Sequence, residues 1–181
     1  MVDLKLIEEC RSGNLNNFRK VVEASIPFAF SVAFRMLGDE DLAKDVVQEA
    51  LVTIWQKIAN INSPEGYKTW LCRIVINKCY DEMRRKKRNP EYSQDDGSWA
   101  KLADRIEDNT LEGLANNEIA VIITGLTERL SPKQKAVFIL SDLEEMTHNE
   151  VAHITGMNKL TVKANLYYAR KSIRTMLQKY L

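Results

Sequence analysis

Apolar residues recur every three to four positions almost from end to end of this chain, and no stretch alternates apolar with polar side chains as a half-buried strand would. Only 7 glycines and 4 prolines interrupt that period, so few positions can force the backbone out of a helix. The expectation is an all-α protein of two helical domains. The first spans residues 1–88. It holds a short helix near 3–11, a longer one from about 14 to 37, disturbed at Pro27 and ended by Gly38, and a third from about 40 to 59. A fourth starts at Ser63-Pro64, a favourable N-cap and first-turn pair, and runs to Arg88. Residues 89–109 read as an acidic linker. The second domain, 110–181, opens with an apolar helix through Ile119, Val121, Ile122, Ile123 and Leu126. Two capping boxes follow, Ser131-Pro132-Lys133-Gln134 and Thr147-His148-Asn149-Glu150. The helix begun by the second must stop at Gly156, and Met157-Asn158-Lys159 turns into a final helix, which is a helix-turn-helix pattern.

No apolar run approaches the roughly 20 residues that span a bilayer, and Met1-Val2-Asp3-Leu4-Lys5-Leu6 lacks the pattern of a signal peptide. Cys10, Cys72 and Cys79 are too few and wrongly spaced for a disulfide framework or a zinc site, so they are expected as buried, reduced thiols of a cytoplasmic protein. No cofactor and no metal is expected. The net charge of +1 hides a strong asymmetry. Residues 68–88 hold eight basic and two acidic side chains, 89–130 hold three and nine, and 151–181 hold six and none, giving +6, −6 and +6. Two basic blocks separated by an acidic one suit two contacts with a polyanion.

Three helical faces carry the functional reading. On the final helix Val162, Leu166, Ala169, Ile173 and Met176 form the core stripe. The opposite face bears Thr161, Ala164, Tyr168 and Lys171, flanked by Lys163, Asn165 and Arg174: small residues that admit a groove floor, amide and amine groups that read base edges, and cations for phosphates. On the helix from 64 to 88, Leu71, Cys72, Val75, Ile76, Cys79 and Met83 share the buried stripe. Trp70, Arg73, Asn77, Asp81 and Arg84 lie on the far side, running into Arg84-Arg85-Lys86-Lys87-Arg88; an aromatic ring beside a cationic track suits unpaired bases. The helix from 40 to 59 turns Leu42, Val46, Val47, Ala50, Leu51, Ile54 and Ile58 inward. Its outer face shows Asp41, Asp45, Gln48, Glu49 and Gln56, with Val52 in the middle and Trp55 at the edge, a surface that repels DNA and suits a protein partner.

Two other classes compete. An autonomous transcription regulator would use the same C-terminal helix-turn-helix with the first domain as sensor or dimerisation unit, but it has no need of a second nucleic-acid face at 70–88. A metal-dependent nuclease would use Asp39, Glu40, Asp41, Asp45 and Glu49 for Mg²⁺. Neither histidine, His148 or His153, stands near them as a base, and acidic residues at a helix start also complement its dipole.

Taken together, these segments resemble the extracytoplasmic-function group of the sigma-70 family of RNA polymerase sigma factors. Asp45-Val46-Val47-Gln48-Glu49-Ala50 followed by Trp55 is similar to the segment that docks on core polymerase. Trp70-Leu71-Cys72-Arg73-Ile74-Val75-Ile76-Asn77, then Asp81 and Arg84-Arg85, is similar to the helix that reads and melts the −10 element. Asn60-Ile61-Asn62-Ser63-Pro64-Glu65-Gly66 matches the loop that captures a flipped −10 base. Thr147-His148-Asn149-Glu150-Val151-Ala152 and Leu160-Thr161-Val162-Lys163-Ala164-Asn165, then Ala169-Arg170, resemble the −35-reading helix-turn-helix.

The resemblance implies a sigma factor, not an enzyme, that binds core RNA polymerase and directs promoter-specific initiation. For the −10 element and melting it implies Asn60, Ile61, Asn62, Ser63, Lys68, Trp70, Arg73, Asn77, Asp81, Arg84, Arg85 and Arg88. For the −35 element it implies Thr147, Lys159, Thr161, Lys163, Ala164, Asn165, Tyr168, Arg170 and Lys171, and for polymerase Asp41, Asp45, Gln48, Glu49, Val52 and Trp55. The partners it implies are core RNA polymerase, promoter DNA and an anti-sigma factor. Where family members often carry Gly-Thr-Val this chain has Leu160-Thr161-Val162, and Asn165 and Tyr168 stand where relatives often carry arginine. Those departures bear on which −35 sequence is read.

Overall fold

The computed structural model describes residues 2–12, 15–88 and 122–178, and among them there is no strand. Helix α1 (Leu4–Arg11) starts where the Asp3 carboxylate accepts from the Lys5 amide at 2.9 Å. A 3₁₀ turn (Leu15–Asn17) leads into α2 (Phe18–Leu37). Pro27 does not break α2. It lies exposed, so the Glu23 carbonyl that it deprives of a donor opens toward water, and the helix runs on unbroken. Gly38 ends α2 at φ 69°, its N–H donating to the Phe34 carbonyl at 2.8 Å. Any side chain here would be strained twice over, since a Cβ would also sit 2.8 Å from Thr124 Cγ2. Asp39 caps α3 (Glu40–Lys57) by accepting from the Leu42 amide at 3.0 Å, and a 3₁₀ turn (Ile58–Asn60) closes it. Ser63 caps a further 3₁₀ turn (Pro64–Gly66), which feeds α4 (Tyr67–Arg88). The fourth helix thus opens with a tighter turn than its cap residues alone indicate.

The chain is helical again at residues 122–127. Helix α5 (Pro132–Phe138) carries the expected capping box, with Ser131 and Gln134 exchanging side-chain-to-backbone bonds of 3.3 and 3.1 Å. It then widens into a π turn (Ile139–Leu143), which periodicity did not anticipate. Glu144 caps that turn, its N–H donating to the Ile139 carbonyl, and Glu145 follows at φ 54°. The second capping box, Thr147 with Glu150, starts α6 (His148–Thr155); hydrogen bonds from Thr147 hold the Glu150 carboxylate below its ordinary range. Gly156 at φ 70° ends α6, and Asn158 caps α7 (Lys159–Leu177), accepting from the Thr161 amide at 2.8 Å. The acidic linker 89–109 and the helix expected over 110–121 lie outside the described residues.

Packing centres on α4. Its apolar positions Leu71, Val75, Cys79, Cys72 and Ile76 sweep an arc of about 140° at 100° per residue, too wide for one neighbouring helix to cover. Helices α2 and α3 cover part of it, and α6 and α5 of the second block also pack against α4. One continuous apolar cluster therefore runs from Ile7 and Val21 through Ile54, Leu71 and Ile76 to Val137, Leu140, Val151 and Ile154. A smaller one gathers Leu130, Ala169 and Ile173 against Leu126 and Phe138. All three cysteines are free and buried, and burial pushes the Cys72 and Cys79 thiols up to about 12, which keeps them unreactive. The Tyr67 hydroxyl meets Ser25 Oγ at 2.9 Å; because Ser25 donates to the Val21 carbonyl at 2.6 Å, the tyrosine is the donor.

The exception in this core is Lys135, only 6% exposed. Burial lowers its ammonium from the ordinary 10.5 to about 8, partly offset by the fields of Glu128 and Cys79. An unfolded chain would keep that proton up to 10.5 whereas the folded one releases it near 8, so its cost is full below pH 8 and fades as pH rises to 10.5. Lys135→Met is expected to raise stability by about 1–3 kcal/mol at pH 7. Urea unfolding of both proteins at pH 7 and pH 10 checks this, and the advantage of the variant should shrink at the higher pH.

Candidate nucleic-acid interface

The outer side of α4 presents Arg73, Asn77, Asp81, Arg84, Arg85 and Arg88 to solvent along one track. Arg84 pairs with Asp81 on an exposed surface, where such a pair holds weakly, while Arg85 pairs at 2.8 Å with Glu82, whose side chain is only 15% exposed. The Arg84 guanidinium therefore remains the more available of the two to a phosphate. Trp70 is half-buried, its ring 6.0 Å from that of Tyr67, so only part of the indole offers a stacking surface. Lys68 is exposed and sits 5.0 Å over the Phe28 ring.

In the loop before α4, Asn60 and Asn62 are exposed and Ser63 is half-buried, its hydroxyl spent on the Gly66 amide at 3.4 Å. Ile61 differs from the expectation of a nucleic-acid contact. At 6% exposed its side chain belongs to the core, where an apolar group gains most from leaving water, and it anchors the loop.

On α7 the core stripe is Val162, Leu166, Ala169 and Ile173, with Met176 half-buried. Lys159, Lys163, Ala164, Tyr168 and Lys171 are exposed on the other side. Thr161 and Asn165 are half-buried, and the Asn165 amide nitrogen donates to the Thr161 carbonyl at 2.8 Å. That leaves the Asn165 side-chain oxygen to accept a bond from a base. Thr147 is exposed but serves first as the cap of α6. Arg170 forms a two-pronged pair with Asp142 of the π turn, at 2.9 and 2.6 Å, which competes with any phosphate.

Periodicity missed two groups here. Tyr167, 62% exposed, stands with its ring 5.4 Å from that of Tyr168, and Leu160 is 79% exposed at the start of the helix. Tyr167 follows Lys163 by one helical turn, so the same wheel could have found it. With Lys163, Arg170, Lys171, Arg174 and His148 it lines an open cationic cleft.

Helix α3 carries a surface of opposite sign. Asp41, Asp45, Gln48, Glu49 and Gln56 are exposed around Val52, and Trp55 projects beside it while its ring packs edge-on against Phe18 at 4.7 Å. Three of the five carboxylates weighed for a nuclease have structural work. Asp39 caps α3, Glu40 pairs with Lys44 at 2.7 Å and Glu49 with Lys78 at 2.9 Å. Among the described residues no group of three or more His, Cys, Asp or Glu is placed to hold a metal. Likewise, no helix among them is long and apolar enough to cross a membrane.

Comparison with known proteins agrees with this arrangement in both blocks. The family model of sigma-70 region 2 matches residues 21–89, and that of sigma-70 region 4 matches residues 120–173. The ECF RNA polymerase sigma factor SigW of Bacillus subtilis is 25% identical over 185 residues, covering 98% of each chain. RNA polymerase sigma factor SigV of the same organism is 29% identical over 154 residues, covering 83% of this chain and 84% of its own. In fold, the chain is similar to CnrH in its complex with the cytosolic domain of CnrY, at a TM-score of 0.69 and 22% identity over 98% of this chain and 97% of that one. It is also similar to the sigma factor RpoE from Bartonella quintana in complex with the anti-sigma factor NepR, at 0.64 and 22% over 90% and 97%. With both region models matched in order and relatives aligned along nearly its whole length, the chain belongs to the sigma-70 family of RNA polymerase sigma factors, in its extracytoplasmic-function group.

Proposed function

We propose that this chain binds core RNA polymerase and directs promoter-specific initiation, with α4 engaging and helping to melt the −10 element and α7 reading the −35 element. The observation that carries this reading is the presence of two separate cationic faces, each opposite an apolar stripe, on helices of two blocks. A regulator with one helix-turn-helix has use for only one of them. On α4, cations beside a partly open indole suit a single strand whose bases stack and whose backbone is neutralised. On α7, Ala164 and the short side chains around it let the helix approach a groove floor, while Lys163, Lys171 and Arg174 hold phosphates. The polymerase contact falls to α3, where carboxylates surround exposed Val52 and Trp55. An apolar centre within a charged rim is the usual anatomy of a protein–protein site.

The reaction chemistry in this reading belongs to the polymerase, and the chain contributes binding without catalysis or cofactor. It acts in the cytoplasm, where polymerase and promoter are. An anti-sigma partner covering the polymerase-binding or DNA-binding face would silence it, as partners named anti-sigma accompany its structural relative RpoE.

Co-purification with core polymerase followed by run-off transcription from a pool of promoter-like templates tests the proposal. Association with core and initiation that depends on the chain are expected; tight duplex binding without polymerase association would overturn it. Trp55→Ala is expected to weaken core binding about tenfold or more while leaving helicity unchanged, since buried aromatics at interface centres carry most of the affinity. Titration of core with labelled protein measures this. Asn165→Ala is expected to reduce discrimination between −35 sequences by about 1–3 kcal/mol, with little change in non-specific duplex affinity. Equal losses on all duplexes would remove Asn165 from base reading.

A further inference from the structure

The outward side of α7 carries apolar surface that phosphate binding does not use. At 100° per residue, Val162, Leu166, Ala169 and Ile173 centre the core side of the helix. Leu160, Ala164, Tyr167 and Tyr168 fall within an arc of about 100° directly opposite that side. All four are exposed, Leu160 at 79%. A lone apolar side chain on a surface is ordinary, but four on one side of one helix form a contiguous strip, and such strips mark contact sites.

Charge decides what covers this strip. Exposed Lys159, Lys163 and Lys171 border it, Tyr167 lines the cationic cleft with Arg174, and α7 holds no Asp or Glu. The partner must therefore present negative charge around an apolar centre. The major groove of a duplex does so: its walls are phosphates, and the apolar groups on its floor are the C5-methyls of thymine. The polar readers at this end of the helix are partly spent. Asn158 accepts from the Thr161 amide at 2.8 Å, Thr161 is half-buried, and the Asn165 amide nitrogen donates to the Thr161 carbonyl at 2.8 Å. Besides Lys159, what the first turn offers outward is Leu160, the most exposed large apolar side chain among the described residues. Ala164 follows it after a rise of about 6 Å, so the two meet base pairs one or two steps of ~3.4 Å apart.

We infer that Leu160, with Ala164 one turn on, selects the −35 sequence by its thymine methyl groups. This deepens the −35 reading proposed above and rests on it. Leucine and thymine methyls leave water against each other, whereas cytosine carries hydrogen in place of that methyl and an N4 amine beside it. Asn165, a hydrogen-bonding reader, responds to amine and carbonyl positions; Leu160 responds to the methyl alone, so the two contributions are separable. Losing the methyl of one contacted thymine is expected to weaken binding about fourfold, the worth of one buried carbon.

The test uses the whole chain bound to core polymerase and promoter duplexes randomised over the −35 segment. Retained duplexes are sequenced, and each thymine of the retained segment, on either strand, is replaced singly by deoxyuridine. That replacement removes the C5-methyl and keeps every hydrogen-bonding group. Competition binding should show a loss of about fourfold at one or two thymines. Leu160→Ala should bind the thymine and deoxyuridine duplexes equally at that position, both as weakly as the unaltered chain binds deoxyuridine. Leu160→Met, which keeps the apolar reach, should retain the methyl dependence, and so should Asn165→Ala. A retained segment without thymine, or deoxyuridine tolerated at every thymine, overturns the methyl reading. The same methyl loss in Leu160→Ala as in the unaltered chain overturns Leu160 as its reader. Weaker core binding by Leu160→Ala with unchanged DNA preference also overturns it, and gives the strip to a protein contact. A pool with no −35 preference at all fails one step earlier: it overturns the −35 reading of α7 before any thymine is replaced.

Discussion

The width of the apolar arc on α4 is the constraint from which the rest of the structure follows. A helix buried on a narrow stripe would need only α2 and α3 beside it and would leave the second block independent. Cys72, Ile76 and Cys79, all at 0–1% exposure, extend the stripe past what those two helices can cover. Left open, that extension would expose apolar area at about 25 cal/mol for every Å². Packing α5 and α6 against it removes the cost and brings the helix-turn-helix alongside the basic track. The remaining side of α4 is left to charge. One helix thus serves as core for two blocks and carries the proposed nucleic-acid face of the first.

The π turn at Ile139–Leu143 is the second organising element. Inserting a wider turn at the end of α5 shifts the direction of the residues that follow it by part of a turn. Asp142 is thereby aimed at Arg170 within its own block, and Glu144, one residue beyond the turn, at Arg35 in the other. The same local distortion sets the cation inventory of the helix-turn-helix and the ionic contact between blocks. The five-residue segment thus reaches the proposed −35 face directly, through the pair of Asp142 with Arg170.

Helical periodicity and caps made most of the local structure legible. Both capping boxes, the glycine stops at Gly38 and Gly156, and the stripes of α3, α4 and α7 follow from short-range rules about orphan amides and apolar spacing. What escaped was long-range. The burial of Ile61 depends on how its loop folds back on the core, the pairing of Arg170 with Asp142 spans 28 residues, and that of Arg35 with Glu144 spans 109. Nothing in the capped helix that carries Lys135 signals its burial, because only the packed structure removes its water. Pro27 erred the other way: its rule is sound for a buried helix, but exposure makes the missing bond cheap. The resemblance supplied the functional frame, and the residues within it divide by what each side chain is already bonded to.

The central claim is that α4 and α7 contact one promoter at two separate places. The most direct measurement places a photoreactive side chain at Asn77 in one protein and at Lys163 in another, then maps the cross-links on promoter DNA in the complex with core polymerase. The account predicts two sites about 25 base pairs apart, or ~85 Å, with the Asn77 cross-link on an unpaired strand and the Lys163 cross-link in duplex. No DNA cross-link from Asn77, or both cross-links within one turn of the duplex, would contradict it.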